Sequence, residues 1–272
     1  MKENNIDSRK NTDDSEDGSA NIENLDTDKR YISPGAEIAD DVILGEYVKI
    51  GPEVVIRENC EIEAGVEIRG RTIIGRNNYI ARGALLGFAP QHLDYNEEAT
   101  GLVIGDNNYI GPRATLHRGT EERERTLIGD GNYLAAYSHI AHDCLLADNI
   151  EIGEFTQLGG HVEIGSSSKI EAMVGVHQFV MLGRGAVIES QSKVTKDVPP
   201  YLKAGGHPAK LTGTGNCPTS EIKLKISRAF ELLCRSECNT TQAVEKMQDE
   251  LQGPVITEFV TFLENSERGI CR

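Results

Sequence analysis

The sequence has no tryptophan, few aromatic residues (5%) and no long apolar run. Its longest charge-free apolar stretch near the middle, 172–183, is too short to cross a bilayer. The first twenty residues lack the apolar segment of a secretory signal. The six cysteines include no CxxC pair, which predicts reduced thiols and not a disulfide framework. We therefore expect a cytoplasmic protein without a membrane span.

Positive charge is also scarce. The 272 residues contain 28 Lys and Arg against 43 Asp and Glu, a formal net charge of −15. A non-specific nucleic-acid binder needs surplus cations to displace counterions from phosphates. A protein that docks on an anionic membrane needs surplus cations to bind its lipids. The charge balance therefore argues against both classes of partner. The length suits one large domain, or one domain with an appendage.

The chain does contain a strong repeat of six residues. Of the 28 positions reached by steps of six from Ile32 to Val194, 25 are Ile, Leu or Val. A helical period cannot produce this spacing, but a hexapeptide β-helix does, with three hexads to each coil. We therefore predict an all-β, left-handed parallel β-helix over 31–200. The exceptions, His92, Glu98 and Glu122, fall in the polar segments 88–100 and 119–125, which we expect to loop out.

The flanks differ from the repeat. Residues 1–30 are rich in charge and poor in aliphatic side chains, which predicts a disordered acidic tail. A Pro- and Gly-rich connector is expected over 201–218, followed by a C-terminal helical domain over 219–272. Ser220 is the expected N-cap of its first helix, and two further helices are predicted at 241–251 and 255–265.

An 18-residue coil brings one group of residues to a single edge. It places Gly160 one coil and Gln178 two coils above His142, and, with the segment around Glu122 looped out, Arg118 one coil below. Five of the seven histidines then gather at this edge: His117, His139, His142, His161 and His177.

Such a column fits two kinds of site. The first is a general base, because the pKa of an imidazole lies near neutral pH. In such a site Asp143 would orient His142, and the Gly160 N–H would bind an oxyanion. The alternative is a metal site of the γ-class carbonic anhydrase kind. That site requires a further histidine at position 182, which is leucine here.

Five sequence blocks carry a resemblance to a known family. They are TLHRGT (115–120), SHIAHDC (138–144), GGHVEIG (159–165), VHQF (176–179) and KDVPPY (196–201). Over about residues 31–272 the chain resembles the UDP-N-acetylglucosamine O-acyltransferases, which perform the first committed step of lipid A synthesis. The resemblance implies that His142 deprotonates the sugar 3-hydroxyl, which then attacks a thioester on the phosphopantetheine of acyl carrier protein. It also implies a homotrimer and no further cofactor.

The same resemblance assigns the substrate groove. His117, Arg118, His139, His161, His177 and Gln178 would line it. The chain departs from the family at PQHLDY (90–95), where the family has PQDLKY, so His92 and Asp94 stand near the sugar and nucleotide. Ser190 stands where a small residue helps to end the acyl groove, and Arg228 is one position away from a nucleotide-binding arginine. An acid cannot pair with a pyrophosphate, so a different sugar, or an acyl-CoA donor, stays open as an alternative.

A basic segment suggests how a partner would dock. Residues 201–235 contain six cations and two glutamates, within an acidic chain. Because acyl carrier proteins are acidic, we expect this patch to dock one; a solvated helix face is the simpler alternative. Outside acyl transfer, the open alternatives are a metal-dependent hydratase and a trimeric scaffold without catalysis.

Overall fold

The computed structural model describes residues 29–236 and 238–272. The predicted tail, 1–30, therefore lies almost wholly outside the described residues. From Tyr31 the chain forms short strands, most of two residues, each ending on or near an aliphatic residue of the six-residue repeat. In chain order these are β1 (Tyr31–Ile32), β2 (Glu37–Ile38), β3 (Ile43–Leu44), β4 (Lys49–Ile50), β5 (Val55–Ile56), β6 (Glu61–Ile62), β7 (Glu67–Ile68), β8 (Arg71–Ile74), β9 (Tyr79–Ile80), β10 (Leu85–Phe88), β11 (Gly101–Ile104), β12 (Tyr109–Ile110), β13 (Thr115–His117), β14 (Arg125–Ile128), β15 (Tyr133–Leu134), β16 (His139–Ile140), β17 (Leu145–Leu146), β18 (Glu151–Ile152), β19 (Gln157–Leu158), β20 (Glu163–Ile164), β21 (Lys169–Ile170), β22 (Gly175–Val176), β23 (Met181–Leu182), β24 (Val187–Ile188) and β25 (Lys193–Val194).

Every third strand pairs in parallel, so the strands form three sheets of a left-handed prism, as predicted. The face that begins with β1 and ends with β25 has nine strands. The repeating aliphatic side chains point inward and stack, and from Ile50 to Val194 those in the strands are nearly all fully buried. At the corners, residues such as Asn77, Asn107 and Asn149 adopt φ near 57°, a left-handed conformation that asparagine tolerates well.

The two interruptions of the repeat loop out of the wall. Residues paired between β5 and β8 are 18 apart, but the step is 30 between β8 and β11 and 24 between β11 and β14. It returns to 18 between β14 and β17. The extra residues lie at 89–100 and 118–124, within one residue of the predicted limits. The 24-residue step also pairs Thr115 in β13 with His139 in β16, so the loop that follows β13 begins one coil below the histidines of β16 and its corner.

The predicted connector contains regular structure. Within 201–218, β26 (Leu202–Gly206) pairs in parallel with β24, and β27 (Ala209–Thr214) folds back on it antiparallel. Leu202 and Ala204 are fully buried, so this segment extends the prism core by one more layer. The turn between the two strands carries His207 and a cis His207–Pro208 bond.

Three helices follow β27 in the part of the chain that the structure describes. They are α1 (Ser220–Cys234), α2 (Thr240–Glu250) and α3 (Pro254–Asn265). The prediction of Ser220 as the N-cap is wrong, because the Thr219 hydroxyl accepts from the Ile222 N–H at 3.2 Å and Ser220 is the first helical residue. Among the described residues, no helix is long and apolar enough to cross a membrane.

Candidate active site

His142 lies on the corner that follows β16. Its side chain is almost fully buried, and Nδ1 lies 2.7 Å from Oδ2 of Asp143. An ionised carboxylate can only accept, so Nδ1 carries the proton and Nε2 keeps a free lone pair. The ring is therefore held in the tautomer that a general base requires.

Asp143 is fully buried and adopts φ of 60°, the left-handed conformation of this corner. Its carboxylate accepts from the backbone N–H and the hydroxyl of Thr120, each at 2.8 Å. Burial acts to raise the pKa of Asp143, but the hydrogen bonds from His142 and Thr120 outweigh it and leave the pKa below its usual value. Asp143 is therefore ionised beside His142 at neutral pH.

Gly160 lies one coil above, against the imidazole. A Cβ at this position would be 2.6 Å from Cε1 and 2.8 Å from Nε2 of His142, so only glycine fits. Within the described residues, the Gly160 N–H donates no hydrogen bond. A free N–H this close to a base is a suitable donor for an oxyanion.

His161 lies on the far side of Asp143 from the groove. Its Nε2 is 3.4 Å from Oδ2 of Asp143 and 3.6 Å from Oε2 of Glu122, and its ring stacks on Phe179 at 4.5 Å. Burial lowers the pKa of His161 and outweighs the two carboxylates that raise it. The structure thus places His161 against Asp143 and not in the groove lining, and its substrate role stays a prediction.

A groove of about 690 Å³ opens in front of His142 on the sheet that contains β16, β19, β22 and β25. Three predicted residues besides His142 and Gly160 line it: His139, His177 and Gln178. Sequence reasoning missed His207 and Lys193, which also line it. A second cavity of about 590 Å³, between β23 and α3, has no histidine in its lining.

His117 and His139 stack edge to face, with ring centroids 5.1 Å apart. Burial lowers the pKa of His139 to about 4 and also lowers that of His117. Nδ1 of His117 lies 2.7 Å from the Ala89 carbonyl, which fixes its tautomer as a donor to loop 89–100. Both rings are therefore neutral at physiological pH.

The loop 89–100 folds over the site from below. It brings the centroid of the His92 ring to 5.4 Å from that of the His142 ring. Asp94 is exposed, and its backbone N–H donates to Nδ1 of His92 at 3.3 Å. Arg118 ties this loop to β10: its Nε donates to the Tyr95 hydroxyl in the loop at 3.1 Å and its Nη1 to the Gly87 carbonyl in β10 at 3.0 Å. The structure thus places Arg118 as a loop anchor and not in the groove lining.

Two further predicted residues lie away from the groove lining. The Ser190 hydroxyl donates to Glu171 at 2.9 Å on the surface. Arg228, on the exposed face of α1, pairs with Glu250 at 2.7 Å and with Glu231 at 3.3 Å.

The basic segment 201–235 is partly neutralised by neighbouring acids. Besides the pairs of Arg228, Lys203 binds Glu189 at 2.7 Å and Lys225 binds Glu221 at 2.8 Å. Lys210, Lys223 and Arg235 have no acidic partner among the described residues; the Arg235 guanidinium lies over the Phe230 ring. Docking of an acidic partner here stays a prediction.

A metal ion is the other occupant that the cluster allows. Ligand atoms of His142, Asp143 and His161 lie within 4.8 Å of one another. However, Asp143 already accepts two bonds from Thr120, and Leu182, at the position where the carbonic anhydrase type requires a histidine, is buried in the core. The arrangement fits a hydrogen-bonded base better than a zinc centre.

Several known proteins resemble this chain in sequence and fold. The family model "Udp N-acetylglucosamine O-acyltransferase; Domain 2" matches residues 197–271, and a bacterial transferase hexapeptide model matches 53–88. An acyl-[acyl-carrier-protein]--UDP-N-acetylglucosamine O-acyltransferase of Thermodesulfovibrio yellowstonii is 37% identical, over 89% of this chain and 96% of that protein. One of Syntrophobacter fumaroxidans is 36% identical, over 87% and 95%. Among solved structures, the UDP-N-acetylglucosamine acyltransferase of Bacteroides fragilis superposes with a TM-score of 0.88 at 35% identity, covering 91% of this chain and all of that one.

Proposed function

The chain belongs to the family of acyl-[acyl-carrier-protein]--UDP-N-acetylglucosamine O-acyltransferases, and on that premise we propose that it is an acyltransferase that uses His142 as its general base. It moves a fatty acyl group from acyl carrier protein to the 3-hydroxyl of UDP-N-acetylglucosamine, the first step of lipid A synthesis. The observation that carries the proposal is the hydrogen bond of 2.7 Å between His142 and buried Asp143, at the wall of an open groove.

The reaction uses groups already in position. Nε2 of His142 takes the proton of the sugar hydroxyl, whose oxygen then attacks the thioester carbon. Negative charge develops on the carbonyl oxygen, within reach of the free Gly160 N–H. When the tetrahedral intermediate collapses, the carbon–sulfur bond breaks and the thiol leaves with the proton returned by Nε2. Asp143 stabilises the imidazolium between the two proton transfers without being protonated itself.

The acyl donor brings its own reactive group. The phosphopantetheine of acyl carrier protein carries the thioester, so the proposal requires no further cofactor. Lys210, Lys223 and Arg235 are the cations of the 201–235 segment that remain for an acidic partner. Rim charges of this kind favour association rates more than final affinity.

The groove is incomplete without a second wall. It is open along the sheet, and a stripe of exposed apolar side chains, Tyr137, Phe155 and Met173, follows the corner beside it. Tyr137 and Phe155 stack at 4.9 Å and so present one continuous surface. A homotrimer, in which each groove is closed by a neighbouring copy, covers this stripe and excludes water from the reaction. A cytoplasmic location is part of the proposal, and it agrees with six free cysteines.

A mass-spectrometric assay tests the function. Purified protein is mixed with carrier-protein thioesters of several chain lengths, or with acyl-CoA, and with several sugar nucleotides. The proposal predicts an acylated sugar nucleotide, with UDP-N-acetylglucosamine among the acceptors and carrier protein preferred to coenzyme A. Bicarbonate formation from CO₂ with stoichiometric zinc would instead indicate the hydratase, and no turnover with no ligand binding would indicate a scaffold.

A further inference from the structure

The loop that interrupts the repeat at 118–124 contacts the catalytic corner from outside. Thr120 bonds to Asp143, Glu122 lies 3.6 Å from His161, and Arg123 pairs with Glu163 at 2.5 Å. These contacts come from residues that lie outside the six-residue repeat. The loop therefore attaches directly to the groups behind the base and not to the groove in front of it.

Thr120 is the member of this loop that reaches Asp143. Its N–H donates to Oδ1 and its hydroxyl to Oδ2, each at 2.8 Å, so both carboxylate oxygens are held. The Thr120 hydroxyl oxygen also lies 3.4 Å from the Glu122 N–H, which donates to it. The hydrogen of the Thr120 hydroxyl therefore points at Oδ2 of Asp143.

The orientation of the base depends on where Oδ2 points. Oδ2 is the atom that faces Nδ1 of His142 at 2.7 Å and Nε2 of His161 at 3.4 Å. Free to rotate, the carboxylate could turn Oδ2 from one imidazole to the other. Bonds to both oxygens prevent this rotation, and bonds to an ionised group are stronger than those between neutral groups.

From this geometry we propose that Thr120 is a positioning residue of the active site, which fixes the Asp143 carboxylate so that it orients and polarises His142. The inference rests on the proposed function, because it assigns Thr120 a role in the same proton transfer. Thr120 contacts neither the substrate groove nor the reacting atoms; it acts through Asp143.

Removal of the hydroxyl should alter the proton affinity of the pair. The titratable groups around the His142–Asp143 pair come from several elements. Near Asp143 they are His161 one coil above, Cys144 beside it, and Glu122 and Arg123 from the loop; near His142 they are His92, His117 and His139. With one donor to the carboxylate lost, the His142–Asp143 pair binds a proton more tightly. The acidic limb of the kcat–pH profile should therefore move to higher pH.

The test compares three purified variants in the acyl-transfer assay from pH 5 to 9. For Thr120→Val we expect kcat to fall roughly ten-fold with little change in KM, the acidic limb moving up by about one pH unit. Thr120→Ser keeps the hydroxyl and should recover most of kcat and the original profile. Thr257→Val, at an exposed threonine of α3, is the matched control and should behave as the wild type.

The outcomes separate the two proposals. If the wild-type protein transfers no acyl group, the proposed function fails. If the wild type is active and folded Thr120→Val keeps both kcat and the pH profile, the positioning role is wrong. The role is also wrong if Thr120→Val lowers only the melting temperature, or if Thr120→Ser is as slow as Thr120→Val.

Discussion

The contact between Gly160 and His142 gives the sharpest prediction from geometry. In Gly160→Ala the new Cβ would lie 2.6 Å from Cε1 and 2.8 Å from Nε2 of the ring, whereas carbon atoms pack at roughly 3.5 Å or more. The ring must therefore move by about 1 Å. Such a shift lengthens its 2.7 Å bond to Asp143 beyond hydrogen-bonding range and misplaces Nε2.

The expected loss follows from that displacement. Misplacement of a reacting group by about 1 Å costs on the order of 10² in rate, so kcat should fall about 100-fold. Alanine keeps the backbone N–H, and Gly160 lies outside the left-handed region, so neither a lost oxyanion donor nor backbone strain would explain the effect. The free energy of unfolding should fall by about 0.5–2.6 kcal/mol, because the broken bond costs roughly 1.5–3 kcal/mol and the stiffer unfolded chain offsets about 0.4–1 kcal/mol of it.

Steady-state kinetics with a carrier-protein thioester and UDP-N-acetylglucosamine measure the effect. Gly213→Ala in β27 is the matched control, because a Cβ there meets nothing within 4 Å. A folded Gly160→Ala protein whose kcat stays within two-fold of wild type would refute the claim that this glycine sets the position of the base.

Three further outcomes follow from the site. Asp94→Lys should lower the KM for a UDP-sugar, because it replaces repulsion of the pyrophosphate by attraction; a clear rise in KM would show that the loop serves another acceptor. Arg118→Met removes the bonds to Tyr95 and Gly87, so KM should rise several-fold with kcat less affected, and unchanged kinetics would contradict its role as a loop anchor. Because the pKa of His139 falls from 6.5 in the unfolded chain to about 4 in the folded one, the unfolded state binds more protons and stability declines as pH falls from about 6.5 to 4. His139→Gln should flatten this decline by at most about 3 kcal/mol in denaturant titrations, and a slope equal to that of wild type would disprove the buried neutral ring.

The sequence predicted the fold well because one aliphatic residue in six determines both strand and coil. With a fixed step of 18 residues, Gly160 could be placed above His142 without coordinates. The step of 24 across the second loop, which pairs Thr115 with His139, could be used in the same way to place Arg118 one coil below His142.

Side chains outside the grid were harder to place. His207 reaches the groove in the turn of the β26–β27 hairpin. The Gly and Pro residues of this segment are typical of a connector, so the sequence does not predict its two strands. Thr120 carries no periodic signal, and its bond to Asp143 depends on the conformation of the loop 118–124. The sequence predicts Arg118 in the groove lining, but its guanidinium binds the Tyr95 hydroxyl and the Gly87 carbonyl instead. The roles of Ser190 at the end of the acyl groove and of Arg228 near the nucleotide stay predictions.

His142→Ala, measured by single-turnover acyl transfer, tests the central claim most directly. The Thr120 donors still satisfy Asp143 in this variant, so the protein should fold. Loss of a positioned base should lower the rate by roughly 10²–10⁴-fold, with substrate affinity much less affected because His177 and Gln178 remain in the groove. A well-folded His142→Ala protein that transfers acyl groups at nearly the wild-type rate would contradict the mechanism.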